Sequence, residues 1–575
     1  MLKKLNIRKH ISANSRYAAL LLLFFLLSYI IPLGSRDLIA PDETRYAVIP
    51  YEMINSGNWT VPYFNGLRYF EKPVMGYWIQ AYSLLMFGNN NFAVRFPSAL
   101  AALLSAVLIC VLVRRVFRCK NDDDGTEDGW VFPSVMAAFI FLSCFEVFAI
   151  GNIAVLDGLF SFFTTASVSA FYFASEERPG SAREKCILLL AGILSGFAFM
   201  TKGFSAFMIP VLSITAFLLW QHRYSDIIRM GWLPLASAII VVLPWAAAIH
   251  SREPDYWNFF FWNEHIRRFM ANNAQHKESF WFFFAAAPAL FFPWTFLVPA
   301  TVSGIKNSLS ISEKQKNLLK LCICWLVFPF LFFSFSSGKL LTYVLPCFAP
   351  FAVLMSIGIT HALREKRSIK ALQAGIAFST FLLSVLLIAF LYIQLLGPKT
   401  ARPYADCLKP AMISAGILFS ISCCILSYKN TDAKNKMIFY SIAPLLFFFL
   451  AHYAIPESVT GESSPYALMR QYKNDIKGYS VVISDEDSTG AVCWYLKTDN
   501  TYIIGDPGEF SYGLKYNDAK NRLLDQYSAA ALIASNKGRT LMVTKNWNAK
   551  RLRNKLPNPF FQRSGSGSGF TISIY

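Results

Sequence analysis

Apolar residues run along this chain in long blocks rather than in the mixed texture of a water-soluble protein. Ala18–Leu33, Phe96–Leu112, Trp130–Ile150, Val155–Ala174, Trp232–Ile249, Leu318–Ser334 and Ala371–Leu395 are examples, and such runs recur from Tyr17 to Tyr453. Each approaches the roughly 20 residues a helix needs to cross a bilayer, and about thirteen membrane helices are predicted. Met200-Thr201-Lys202-Gly203 separates two runs with almost no loop. Arg45–Ser56 and Tyr77–Phe87 have helical apolar spacing; they read as short amphipathic helices on the membrane plane, with a partly buried re-entrant segment as the alternative. Pro50 falls inside the first and is expected to kink it. After Tyr453 the long runs stop. Short β-rich pieces are predicted at Ser480–Ser484, Tyr502–Gly505, Ala530–Ala534, Leu541–Lys545 and Phe570–Tyr575, with helices at Asp518–Gln526 and Trp547–Lys555. The Gly/Ser tract 564–569 reads as a flexible turn before the last strand. The expected fold is therefore a polytopic α-helical membrane protein over 1–455 with a soluble α/β domain over 456–575.

Charge orients this pattern. Lys3, Lys4, Arg8, Lys9 and Arg16 precede the first run, and basic clusters return in every second loop, among them Arg114/Arg115/Arg118/Lys120, Arg223/Arg229 and Arg364/Lys366/Arg367/Lys370. The positive-inside rule then puts the N-terminus in the cytoplasm, and an odd span count puts the tail outside. Residues 1–35 mimic a signal peptide, but Pro32-Leu33-Gly34-Ser35 lacks a small-x-small cleavage pattern, so an uncleaved anchor is expected. The net charge of +19 lies largely in cytoplasmic loops, where topology and anionic lipid account for it, so nucleic acid is not an expected partner. Most of the eleven cysteines lie in apolar runs as small hydrophobes, without metal-binding spacing; Cys407 and Cys493 fall outside the membrane, where they could pair. Neither a Walker A sequence nor a strand-embedded G-x-G-x-x-G is present, which leaves no support for a soluble sugar-nucleotide donor and leaves a lipid-borne donor open.

The unusual charges gather on the outer side. Residues 34–95 and 250–280 form long outer loops; Asp42, Glu43, Arg45, Glu71 and Lys72 lie in the first, and Glu264, His265 and Arg268 in the second. Asp157, Lys202, Lys339 and Tyr343 sit at outer ends of runs. A transporter would place several of these near the midplane. Arginine, lysine and a tyrosine hydroxyl together suit a lipid phosphate, and Arg45, Lys72 and Tyr343 offer that combination. Asp42 is a candidate base or orienting acceptor.

Pro41-Asp42-Glu43-Thr44-Arg45-Tyr46, Gly66-Leu67-Arg68-Tyr69-Phe70-Glu71-Lys72-Pro73, Val155-Leu156-Asp157, Thr201-Lys202-Gly203, Glu264-His265-Ile266 with Arg268-Phe269, Ala274-Gln275-His276-Lys277, and Ser337-Gly338-Lys339-Leu340 with Thr342-Tyr343-Val344 resemble, in order, the lipid A aminoarabinose transferases. In the tail, Gly508-Glu509-Phe510-Ser511-Tyr512-Gly513-Leu514 is similar to a segment of that family, while the rest matches more faintly. The acidic pair alone is shared by many enzymes of the GT-C class, including protein O-mannosyltransferases. The resemblance implies a GT-C fold in the bacterial inner membrane and transfer of 4-amino-4-deoxy-L-arabinose from undecaprenyl phosphate to lipid A phosphates. It implies that Asp42 takes the catalytic acidic position, that Arg45, Lys72 and Tyr343 contact the lipid phosphate with Tyr69 nearby, and that Asp157, Lys202, Arg268 and Lys339 line the substrate cavity. It also implies that Glu71 and His265 can hold a divalent metal, zinc by preference. A monomer is the expected state. Two rival readings remain at this stage: a transferase using another polyprenyl-linked sugar or a protein acceptor, and a lipid-sugar flippase.

Overall fold

The computed structural model describes all residues except 1–12, 118–130, 268–276, 309–310, 475, 477, 566 and 568. The basic residues ahead of Ala13, with Arg118, Lys120 and Arg268, lie outside the described residues. Eight helices among the described residues are long and apolar enough to cross a membrane, or up to ten if each of two bent pairs is one span. The expected thirteen are not all matched by such helices. The first run forms a shorter helix, Arg16–Ile30, as does Ser205–Trp220, and the run predicted as Trp130–Ile150 bends by 69° between Val131–Ser143 and Phe145–Gly151.

Burial separates the central helices from the peripheral ones. In Leu341–Ala362, 83% of the most apolar window is buried inside the protein, against 17% in Ser368–Leu396 and 28% in Tyr224–Arg252. The outer helices turn Ile228, Ile240, Ile388 and Leu396 outward, which suits a hydrocarbon surrounding. Local signals start several helices: the Ser181 side chain caps Ala182–Lys202, and Ser312 with Gln315 forms a capping box before Glu313–Phe335, each satisfying backbone N–H groups that the first turn leaves open.

The two short outer helices appear as Asp42–Ser56 and Met75–Phe87. Between them lies a two-residue hairpin, β1 (Tyr63–Phe64) and β2 (Leu67–Arg68), turned by Asn65-Gly66. Gly66 has φ +67°, and a Cβ there would lie 2.6 Å from the Asp499 carbonyl oxygen, so glycine is required twice over.

The C-terminal part is one six-stranded sheet in the order β5-β4-β3-β6-β8-β7. Its strands are β3 (Val481–Ser484), β4 (Tyr502–Ile504), β5 (Leu523–Leu524), β6 (Thr540–Lys545), β7 (Phe561–Ser564) and β8 (Phe570–Ile574). The first four run parallel and the last two form an antiparallel hairpin at the edge. Two expectations are corrected. Ala530–Ala534 is helical, within Gln526–Ser535, because Asp525 and Ser528 make a capping box ahead of an alanine-rich segment. Residues 518–526 are a 3₁₀ turn, Asn517–Arg522, followed by β5 and the start of that helix. Cys407 and Cys493 are both free thiols: Cys407 is exposed, while Cys493 is buried against Asn65.

The β1–β2 hairpin is the dock for this C-terminal unit. The Asn65 amide donates to the Thr501 carbonyl (2.8 Å) and accepts from the Thr501 N–H (2.9 Å). Arg68 pairs with Glu253 and Asp518, both at 2.8 Å, and lies over the Tyr516 ring. Asp255 accepts from the hydroxyls of Tyr512 and Tyr516. Both outer loops thus share one partner, which fixes the ground on which the polar cluster stands.

Candidate active site

The Asp42–Ser56 helix places three of the motif residues. Asp42 is its first residue and is exposed; Glu43 is fully buried; Arg45, one turn on, is largely buried. Glu43 is structural. Its two oxygens accept from Arg95 (2.7 and 2.8 Å), Arg36 (2.8 Å) and the backbone N–H groups of Ile39 and Ala154 (2.9 Å each). Burial opposes ionisation, but Arg95 and Arg36 outweigh it and hold this carboxyl well below the usual range.

Around this knot three cations each meet a carboxylate from a different part of the chain. Arg45 Nε lies 2.7 Å from Glu509 Oε2. Lys72 Nζ lies 2.9 Å from Glu264 and 4.0 Å from Glu71, and also donates to the Glu71 carbonyl. Lys202 pairs with Asp157. Tyrosines join these pairs. Arg45 sits about equally far from the rings of Tyr46 and Tyr69, at 6.0 and 5.9 Å. The Tyr69 hydroxyl donates to Glu509 (2.9 Å), and Lys202 lies 4.9 Å from the centre of the Tyr343 ring. The Tyr46 hydroxyl is within electrostatic reach of Arg45, Asp157, Glu71 and Asp42, which ties the groups into one cluster.

Asp42, Arg45, Tyr69, Glu71, Lys72, Asp157, Lys202 and Tyr343 are therefore neighbours, directly or through Tyr46. Lys339 is not among them: its buried ammonium donates to the carbonyls of Ser336 and Glu278 (the latter 2.9 Å), where it ties the end of the second outer loop to the Ser336–Lys339 turn. Arg268 and the His265 side chain lie outside the described residues. No group of three or more His, Cys, Asp or Glu among the described residues is arranged to hold a metal ion, and of the expected pair Glu71 stands beside the Lys72 ammonium.

Two family models match the chain: one for dolichyl-phosphate-mannose-protein mannosyltransferase over residues 14–260, and one for arabinosyl transferase ArnT, C-terminal domain, over 461–569. An undecaprenyl phosphate-alpha-4-amino-4-deoxy-L-arabinose arabinosyl transferase of Shewanella sediminis is 38% identical over 511 residues, spanning 88% of this chain and 89% of that protein. The chain belongs to this family of arabinosyl transferases. A relative of the same name from Aeromonas salmonicida is 35% identical over 89% of the chain and 90% of its own length. The crystal structure of ArnT from Cupriavidus metallidurans bound to undecaprenyl phosphate is similar with a TM-score of 0.79 at 19% identity, over 97% of this chain and 98% of that one; the apo form gives 0.80 at 18% identity, over 98% of both. The expected GT-C architecture is thus the observed fold.

Sequence reasoning about this arabinosyl transferase missed the part played by Glu509. It stands more than four hundred residues from Arg45, in a 3₁₀ turn, Gly508–Phe510, and reaches the cluster only because the C-terminal unit docks on the hairpin. Burial pushes its carboxyl above the usual range, with Arg45 pulling the other way. An acid between Gly508 and Phe510, in the one tail segment similar to the family, was the available signal.

Proposed function

We propose that this enzyme transfers 4-amino-4-deoxy-L-arabinose from undecaprenyl phosphate to phosphate groups of lipid A, working as a monomer at the periplasmic face of the inner membrane, with the N-terminus cytoplasmic and the C-terminal unit periplasmic. Such transfer lowers the negative charge of lipopolysaccharide and so confers resistance to cationic peptides such as polymyxin. The observation that carries the reading is the cluster of Arg45, Lys72 and Lys202 beside tyrosine hydroxyls at the border of apolar helices and a polar unit. The names of relatives over nearly the whole chain supply the donor and the sugar.

An oxygen of the acceptor phosphate attacks the anomeric carbon. The new C–O bond forms as the bond to the lipid phosphate breaks, and its electron pair leaves with undecaprenyl phosphate. Negative charge grows on the leaving phosphate, where Arg45 and Lys72 stabilise it most as the bond breaks. A phosphate monoester has a second pKa near ~6, so the nucleophile is already largely anionic at neutral pH. It needs no strong base, and Asp42, exposed at the start of its helix, orients the acceptor or the sugar amine. Lys202, Asp157, Tyr69 and Tyr343 line the substrate cavity; Arg268, expected with them, lies outside the described residues. Glu71 and His265 are where a zinc ion would bind; the described donors do not complete a site, and no step is assigned to a metal.

The mannosyltransferase model over residues 14–260 favours a second reading, with a protein hydroxyl as acceptor. That reaction needs a general base, and Asp42 is the candidate. Purified enzyme with labelled lipid-linked aminoarabinose and lipid A separates the two. Label in lipid A is expected, with an Asp42→Asn pH–rate profile parallel to wild type. Label in protein overturns the first reading, and an acid limb that Asp42→Asn abolishes overturns the orienting role of Asp42.

A further inference from the structure

The Arg45 seat already has an occupant, supplied by the protein itself. Glu509 Oε2 lies 2.7 Å from Arg45 Nε and accepts from Tyr69. The turn that carries it is fixed from two directions. Its backbone N–H donates to Glu486 (2.9 Å), and the Phe510 ring packs on Phe64 with centroids 4.7 Å apart. At Gly508, with φ +46°, the Glu486 carboxylate fills the place a Cβ would take. The C-terminal unit therefore presents the Glu509 carboxylate directly to the Arg45 guanidinium, with Glu486 behind it within electrostatic reach. The contact is not closed, however. The buried Arg45 Nε–H is poorly aligned with its glutamate partner 2.7 Å away, so the ion pair lacks a well-directed hydrogen bond on the Arg45 side.

The chemistry gives that loose contact a use. The donor lipid is a phosphodiester with a single negative charge. The product, undecaprenyl phosphate, is a monoester carrying about −1.5 to −2 at neutral pH. A seat of fixed cations holds the product more tightly than the donor, and turnover then waits on release. A carboxylate within reach of the same guanidinium opposes both lipids, and opposes the more highly charged one more.

Resting on the reading that the lipid phosphate binds at Arg45, we propose that Glu509 is an exchangeable counter-ion through which the C-terminal unit reclaims Arg45 and releases undecaprenyl phosphate after each transfer. Glu509 acts through Arg45 and not on the reacting bond; it is a positioning residue.

The test uses the purified full chain. Undecaprenyl phosphate affinity, product inhibition, kcat and donor KM are measured for wild type, Glu509→Gln, Glu509→Asp and Arg45→Ala. Glu509→Gln is expected to bind undecaprenyl phosphate about tenfold or more tighter. Its kcat and donor KM fall together, and a first-turnover burst precedes a slow steady state. Glu509→Asp keeps the charge on a shorter arm, falls between, and carries the test if the glutamine variant does not fold. Unchanged or weaker product binding in the Glu509 variants overturns the proposal and leaves a residue that merely orients Arg45. Unchanged product binding in Arg45→Ala overturns the reading of the seat, and this proposal with it.

Discussion

Glu43 and Arg45 lie two positions apart on the Asp42–Ser56 helix, and their ion pairs are built on opposite plans. Glu43 and Arg95 have no exposed side-chain surface, and every direction of the carboxylate is met by a donor. Arg95 in turn donates to the carbonyls of Leu33, Arg36 and Asp37. Arg45 and Glu509 keep some exposure and meet by one close but poorly aligned approach. The first arrangement joins the helix to three neighbouring segments, at Arg36–Ile39, Arg95 and Ala154. The second holds a cation ready for another anion. Buried charge serves structure where it is saturated and serves binding where it is not.

The largest expected effect lies on the saturated side. Glu43→Ala leaves Arg95 buried without a partner and should cost about 3–5 kcal/mol of stability, read as loss of folded protein or a large fall in Tm. Because the folded carboxyl titrates below its unfolded value, its contribution is complete above that unfolded value, about 4.3. It is lost as pH falls below that value towards the folded one. Wild type should therefore lose Tm on acidification more steeply than a Glu43→Gln variant. Equal acid sensitivity would break the distinction drawn between the two pairs.

On the unsaturated side the effect should move from stability to rate. Arg45→Ala removes the cation proposed to meet the leaving phosphate, and transfer should fall about 10²–10³-fold while Tm changes far less than in Glu43→Ala. A comparable loss of Tm would show that the Arg45–Glu509 pair is a docking bond of the C-terminal unit.

Much of this was legible in the residues. The apolar runs, the two short outer helices and strands β3, β4, β6 and β8 follow from hydrophobic period and turn residues, which are local signals. Asp42, Arg45, Lys72, Asp157 and Lys202 stood out because charge at the edge of apolar runs is costly without a purpose. Other features needed the tertiary structure. The bend at Cys144 is hidden in a continuous apolar stretch. Lys339 looks in sequence like Lys202, and only the carbonyls around it show that it fastens a loop. Glu509 belongs to the cluster only through the Asn65 and Arg68 contacts that seat the C-terminal unit, and no sequence period records a contact of that range.

The smallest effect is the finest probe of the same contrast. Tyr69 is buried, with its ring edge-on to Phe64 and its hydroxyl on Glu509. Tyr69→Phe keeps the ring and its packing, including its approach to Arg45, and removes only the hydrogen bond. In a saturated network that loss would strand an acceptor and cost about 1–3 kcal/mol. Here Glu509 still has Arg45 and some access to water, so the fall in stability should be at the lower end, about 1 kcal/mol. The rate should drop by no more than about tenfold, because the guanidinium proposed to stabilise the leaving phosphate is untouched. Thermal unfolding and steady-state transfer on the same preparation check both numbers. A rate loss as large as that of Arg45→Ala, with Tm unchanged, would mean that the Tyr69 hydroxyl itself contacts the lipid phosphate in the transition state.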